Sequence, residues 1–378
     1  MVKISSFLSI KPNKNLVKKI PTKSYNDYTE GEINDEKKQN KFSFLNVIHN
    51  EISDKKTSFR YIKKKINEFI DKNILINEKN PLLFVYRQQY NESIYTGIIC
   101  AVDINEYKSG KIKKHEKTIY KREKLFADYI SVTKIHAEPV LLTYNEDFNL
   151  ININHTKKKN LLFDFQSDDR VHHTVWKISN LNEINKIINL AKKIKNLYIA
   201  DGHHRLASSS ISKEINGCLA YIIKKEQLKV FPFHRIIKNN YSYSEIIDKF
   251  KDFGEVKIIE KPKSSNKNLL FYIDKNWHEL NKKKFSNKDL FKKIIKSVFG
   301  IENDKNDKNL YFIPGNKKIS EVTRSVRGNN ILFLMESINI EEIIRTADQN
   351  KIIPPKSTYI LPKIPSGLVL MRLWLIKL

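Results

Sequence analysis

Cysteine is nearly missing from this chain: Cys100 and Cys218 are the only two in 378 residues. That excludes a disulfide framework, and both lie in strand-like apolar runs that suit buried, reduced thiols in the cytoplasm. Long apolar runs are missing as well. No stretch reaches the roughly 18 residues of a membrane span, so no membrane partner is expected. The opening "MVKISSFLSIKPNKN" lacks the apolar core and cleavage site of a secretory signal. Acidic residues are in the minority, 42 Asp and Glu against 69 Lys and Arg, which leaves a net charge of +27. Such an excess can serve nucleic acid. The lysines, however, are scattered with Asn and Ile along the whole chain, as an AT-rich genome dictates, and gather on no one helix. Nucleic acid is therefore not the expected partner, whereas a phosphorylated small substrate fits the charge.

What is present is enough for a sizeable core in one large or two closely packed domains, with 40% hydrophobic residues. The first 45 residues read as irregular, with a loop at "TEGEINDEKKQNK", followed by a strand at "KFSFLNVIHN". "SFRYIKKKINEFIDKNIL" predicts a helix with Phe59, Ile62, Ile66 and Phe69 on one face. "PLLFVYRQQ" and "SIYTGIICAVDI" read as strands, the second apolar on both faces and hence central. "HEKTIYKREKLFADYISVTK" reads as a helix and "EPVLLTY" as a strand. "VHHTVWKI" and "NLYIA" read as strands around a helix whose stripe is Leu181, Ile184, Ile187, Ile188 and Ala191. "CLAYIIKKEQLKVFPFHRII" reads as a hairpin turning at Lys224 to Gln227. "LFKKIIKSVFGI", which Gly300 helps to end, and "SINIEEIIRTADQNKI" read as the last helices. "IPPKSTYILPKIPSGLV" is too rich in proline for regular structure. No internal repeat or clear linker is visible. The fold class is α/β (or α+β), a mixed sheet with flanking helices.

Three clusters can carry chemistry. In "YIADGHHRLA" a buried strand stops, Asp201 can cap a helix, and "HHRLASSSISKEI" can be that helix. The N–H groups of Gly202, His203 and His204 would then point out of a helix N-terminus, which favours an anion. Gly202 permits close approach, and Arg205 adds a two-pronged donor for phosphate oxygens. Asp201 could instead hold a divalent ion on the phosphates. The plainer alternative is an N-cap followed by surface histidines. Asp201, His203 and the distant His115 could in principle hold zinc, but spacing does not support it strongly, and adjacent histidines do not readily share one tetrahedral metal.

In "SGKIKKHEKTIYKRE" a zincin motif would need His at position 119, where Ile119 stands. Glu116 remains, a carboxylate among His115 and four lysines, ionised and able to act as a base toward a hydroxyl. A charged helix entry is the alternative. In "PPKSTYILPK" prolines stiffen a loop carrying Lys356, Ser357, Thr358 and Lys363, suited to phosphate or carboxylate capture or else a surface turn. "FPFHRII" adds His234 and Arg235, either at a site edge or in a local ion pair. "ENDKNDKN" lacks the glycine and closing glutamate of a calcium loop and is read as solvated.

"YRQ", "TGIICAVDINEYKSGKIKKHEKT", "PVLLTY", "HHTVWKI", "YIADGHHR", "PFHRII" and "PPKSTYILPKIPSGLV", in this order, resemble the family known as domain of unknown function 1015. The resemblance covers almost the whole chain after about residue 40. It implies one family-wide unit without a clear linker: a poorly matched segment 1–40, a half 41–145 with "KKHEKT", and a half 146–378 with "ADGHHR" and "PPKSTY". After "HEKT" the chain departs from the family, with Arg122, Glu123, Lys124 and Leu125 where Lys-Glu then Asp-Arg is usual. The Asp-Gly-His-His-Arg step is also similar to the phosphate motif of ParB-like proteins, a superfamily that includes free-serine kinases. That likeness implies a ParB-like nucleotide-binding core, ATP or ADP with Mg2+, and a cytoplasmic phosphotransferase whose acceptor is an alcohol, a hydroxyl amino acid such as serine. It implies Glu116, Asp201 and His204 as catalytic residues, Asp201 also on metal, and Gly202, His203, Arg205 and His115 on phosphate. Lys356, Ser357, Thr358 and Arg235 would hold substrate. The alternatives are a nucleotide-controlled DNA-binding clamp, for which no helix-turn-helix is visible, and a metal-dependent hydrolase.

Overall fold

Continuous apolar runs become the central strands. In the computed structural model, which describes residues 1–212, 215–263, 268–282, 286–302, 307–354 and 356–373, the chain divides into two compact units. Unit 1 comprises 1–229, 344–352 and 361–378, and unit 2 comprises 230–343 and 353–360. Among the described residues no helix is long and apolar enough to cross a membrane.

Unit 1 is built on a nine-stranded mixed sheet. Its strands are β1 (Ile4–Ser5), β2 (Leu83–Tyr90), β3 (Ser93–Asp103), β4 (Ile112–Lys113), β5 (Val140–Tyr144), β6 (Leu161–Gln166), β7 (His172–Ile178), β8 (Leu197–Asp201) and β9 (Gly217–Lys224). Their spatial order is β4-β8-β5-β9-β3-β2-β7-β6, with β1 added to β3. The pairs β8–β4 and β9–β5 are parallel, and the others are antiparallel. β5 is buried along its whole length, as expected of a strand covered on both faces. β3 and β9 approach so closely that a Cβ on Gly97 would strike the Ile222 carbonyl and the Tyr221 ring. The mixed sheet and the central place of "SIYTGIICAVDI" are thus as the sequence predicts.

The helices of unit 1 begin with α1 (Glu30–Gln39), α2 (Leu45–Ile48) and α3 (Lys55–Asp71). They continue with α4 (Ile104–Lys108), α5 (Tyr120–Thr133), α6 (Leu181–Ala191) and α7 (His203–Ile211). α3 buries Phe59, Ile62, Ile66 and Phe69, the predicted face. They join Ile10, Leu75, Ile135 and Leu370 of a second, four-stranded sheet in one apolar cluster. The main core joins Ile184, Ile187 and Ala191 of α6 and Leu206 of α7 to Ile98, Leu142, Ile199 and Ile222 of the large sheet. Leu181, expected on the α6 stripe, is 72% exposed, because the first turn overhangs the core.

Several expectations are corrected. The stretch read as a loop at 29–41 is α1, because Thr29 and Glu32 form a reciprocal capping box that starts a helix in polar sequence. "KFSFLNVIHN" is not a strand: Phe44, Leu45 and Val47 are buried on the short helical turn α2. Within "HEKTIYKREK" the helix starts only at Tyr120, so His115 and Glu116 lie in the segment between β4 and α5. "ENDKNDKN" falls partly outside the described residues.

Unit 2 has a six-stranded antiparallel sheet. It contains β10 (Phe233–Ile237), β11 (Gly254–Ile259), β12 (Leu269–Ile273), β13 (Asn276–Lys282), β14 (Leu310–Pro314) and β15 (Ile331–Leu334), in the order β11-β13-β12-β15-β10-β14. Its core packs α8 (Tyr243–Lys251) and α9 (Asn287–Ser297) through Ile246, Phe250, Leu290 and Ile294 onto Leu269, Phe271 and Phe333. The predicted hairpin at 218–237 does not form. β9 pairs with β3 and β5 in unit 1, and β10 pairs with β14 and β15 in unit 2. The turn signal at Lys224 to Gln227 is real, but it ends one sheet rather than folding a strand back.

Candidate active site

β8 carries the chain to the site. Its pairing with β5 shifts register between Ile199 and Asp201, a bulge that re-aims the strand end. Gly202 follows with φ 95° and ψ 28°, a left-handed conformation that favours glycine. It is the N-cap of α7, so Asp201 is not the cap: it ends β8, and its Oδ1 accepts the Gly202 N–H at 3.0 Å. No side chain caps α7. The helix tolerates Ser208, Ser209 and Ser210 because each hydroxyl donates to a carbonyl one turn back.

The Arg205 guanidinium lies directly against Gly202, where a Cβ would stand 3.0 Å from its Nε and Nη2. Nη1 pairs with Glu138, and Nη2 is 3.8 Å from Asp201 Oδ2. Glu138 is positioned by the hydroxyls of Ser366, at 2.9 Å, and Ser24, at 3.3 Å. Lys363 Nζ donates to Asp201 Oδ2 at 3.1 Å, while its carbonyl accepts from Gln88 Nε2 at 2.9 Å. Two carboxylates thus balance two cations below an uncapped helix N-terminus.

The electrostatics follow from this packing. Burial would raise the Asp201 carboxyl, but Lys363 and Arg205 outweigh it and hold the group well below the usual carboxylate range. Arg205 is half-buried, which would lower it, and Glu138 and Asp201 keep it firmly charged. His203 is pushed well below an ordinary histidine, by burial first and His115 second. His204 is lowered by burial and by Arg122. The segment after β4 meets both rings. His115 N–H donates to His203 Nε2 at 3.5 Å, Ile119 N–H donates to His204 Nε2 at 3.1 Å, and Glu116 Oε2 lies 3.8 Å from His203 Nδ1. The rings of His115 and His203 meet edge-on at 4.5 Å.

Burial is the main cause that lowers His115, His136 and His173 to about 4, with Arg205 adding to it at His136 and His172 at His173. Each stays neutral in the fold and takes a proton once unfolded, so the unfolded chain binds more protons between pH 6.5 and 4. Stability is full above 6.5 and falls as the pH drops through that window, by on the order of 1–3 kcal/mol per histidine. The melting temperature should therefore drop steeply from pH 7 to 5, and His136→Gln should flatten part of the slope. A flat profile across that range would refute neutral burial.

The structure brings together Asp201, Gly202, His203, His204, Arg205, His115 and Glu116, with Lys363 from the proline-rich loop. Sequence reasoning missed Glu138 and Gln88. Glu138 opens the predicted strand "EPVLLTY", but nothing local marks it as the partner of Arg205. Lys356, Ser357, Thr358 and Arg235 belong to unit 2. There Arg235 is buried, donates to the carbonyls of Phe233 and Lys356, and stacks on Phe312 with its guanidinium carbon 4.4 Å from the ring centre. That geometry braces the loop from inside.

The family model described as a protein of unknown function, DUF1015, matches residues 4–302. No curated protein matches the chain. Among solved structures, a free serine kinase variant in complex with ADP is similar at 14% identity and a TM-score of 0.40, over 74% of this chain and 95% of that one. SbnI from Staphylococcus aureus, truncated at its C-terminus, is similar at 11% identity and a TM-score of 0.40, over 70% and 82%. A conserved hypothetical protein from Pyrococcus furiosus is similar at 15% identity and a TM-score of 0.38, over 71% and 93%.

Proposed function

Since the chain belongs to the DUF1015 family, a family of unknown function, we propose its activity from the site itself: a nucleotide-dependent kinase of a small hydroxyl compound, free L-serine first. One observation carries the reading. An uncapped helix N-terminus, entered through a glycine whose left-handed φ of 95° disfavours any side chain, stands beside Arg205, Lys363 and the Glu116 carboxylate. The main-chain N–H groups of His203, His204 and Arg205 bind nucleotide phosphate, as the first donors of a helix do. Arg205 and Lys363 neutralise charge on the transferring group. Glu116 takes the proton of the acceptor hydroxyl as the new O–P bond forms and the bond to the nucleotide breaks.

Magnesium carried on the nucleotide phosphates would supply further charge neutralisation. Asp201, whose side chain is 42% exposed, is the carboxylate this cluster offers it. Among the described residues no group of three or more His, Cys, Asp or Glu side chains forms a metal site of its own.

The deciding experiment is phosphorus NMR of the purified protein with magnesium, ATP or ADP, and L-serine beside a panel of other alcohols. A new phosphomonoester resonance that needs the acceptor is expected. Nucleotide that is neither consumed nor broadened in any mixture would overturn the proposal.

A further inference from the structure

The paired histidines raise a question that phosphate binding does not answer. A side chain that grips phosphate must offer a donor. Here the Nε2 atoms of His203 and His204 each face a main-chain N–H, from His115 and Ile119, so both act as acceptors. A ring nitrogen that accepts carries no proton, which fixes both rings as the Nδ1–H tautomer. This is the wrong polarity for an anion beyond Nε2. Adjacent helical residues diverge by about 100°, so the two rings reach opposite ends of the segment 115–119. Glu116 lies between those ends, and the Nδ1–H of His203 is turned toward its carboxylate at 3.8 Å.

We propose that His203 and His204 are positioning residues, whose Nε2 atoms clasp the backbone on either side of Glu116 and fix where its carboxylate stands. The proposal rests on Glu116 as the base of the kinase reading. The histidines then supply backbone N–H groups to the phosphate and rings to the base-bearing segment, coupling the two halves of the site through one turn of α7. The assignments of His204 as a catalytic group and of the His203 ring as a phosphate ligand are replaced by this one. Burial keeps both rings neutral, so the accepting lone pairs remain available.

The test has two parts. In the full chain with nitrogen-15 histidine, long-range proton–nitrogen spectra at neutral pH should show the Nδ1–H tautomer for both rings. The Ile119 amide should exchange slowly although Ile119 is an exposed residue. Either ring found protonated on Nε2, or a freely exchanging Ile119 amide, would overturn the clasp whether or not the protein is a kinase. The second part is kinetic. In His204→Gln the amide oxygen reaches as far as Nε2 and can still accept, whereas His204→Asn falls short. His204→Asn should lower kcat roughly 20-fold with little change in the KM for nucleotide, and His204→Gln should recover most of that loss. Equal rates in the two variants, or a loss confined to KM, would overturn it. Failure of the wild type to phosphorylate any acceptor would remove the kinase reading, and the spectra would still decide the clasp.

Discussion

Glu116→Gln should lower turnover by about a thousandfold while nucleotide affinity changes by no more than roughly threefold. The substitution keeps shape and hydrogen-bonding reach but cannot take a proton. The groups proposed to bind phosphate lie on α7 and its flanks, apart from the Glu116 carboxylate. Its neighbour His203 is held well below an ordinary histidine by burial, so that ring is not a cation the substitution would leave unpaired. The measurement pairs a phosphoserine assay with calorimetric titration of ADP. Retained turnover would assign the proton to another group. Turnover and nucleotide affinity lost together would place Glu116 in the phosphate site rather than at the hydroxyl.

The second large effect is expected at Arg205, which joins stability to binding. Arg205→Met removes the fork that pairs with Glu138 and abuts Gly202. Glu138 keeps only 18% of its side-chain surface exposed and would be left with two serine hydroxyls for partners. Breaking one side of such a pair should destabilise the protein by about 2–4 kcal/mol, and ADP affinity should fall by roughly tenfold or more. The double variant Arg205→Met with Glu138→Gln separates the two roles. It removes the stranded charge, so the melting temperature should recover while ADP affinity stays low. If affinity recovered with stability, Arg205 would be a structural brace rather than a phosphate ligand.

Much of this site could be read in the sequence because its parts are local. A strand, a glycine turn and a helix follow one another within "YIADGHHRLA", and that order alone implied an anion-binding helix start. The cap itself was misassigned. Aspartate is the commoner N-cap, but the bulge at the end of β8 turns Asp201 toward Lys363 and leaves Gly202 in its place. Pairings across the chain could not be read. Arg205 with Glu138 and Lys363 with Asp201 are set by the sheet order β8-β5-β9 and by the return of residues 361–373 to unit 1. The histidine tautomers are still harder to foresee, since backbone amides fix them and backbone amides carry no sequence signature. Elsewhere the errors have local causes. The capping box at Thr29 was visible but sat in polar sequence. In "KFSFLNVIHN" an apolar run of strand length was buried as a single helical turn.

The two cysteines carry a consequence of their own. Cys218 lies on β9 behind α7 and Cys100 on neighbouring β3, both fully enclosed. Burial raises both thiols, Cys218 to about 11, so neither offers a thiolate to reagents while the fold is closed. Thiol labelling therefore works as a clock for opening of unit 1. Since Ser209 of α7 is a hydrogen-bonding neighbour of Cys218, the rate at that thiol reads how tightly α7 is held against the sheet. The protein carries this reporter without any label being introduced, and a ligand seated on the front of α7 would slow it from behind.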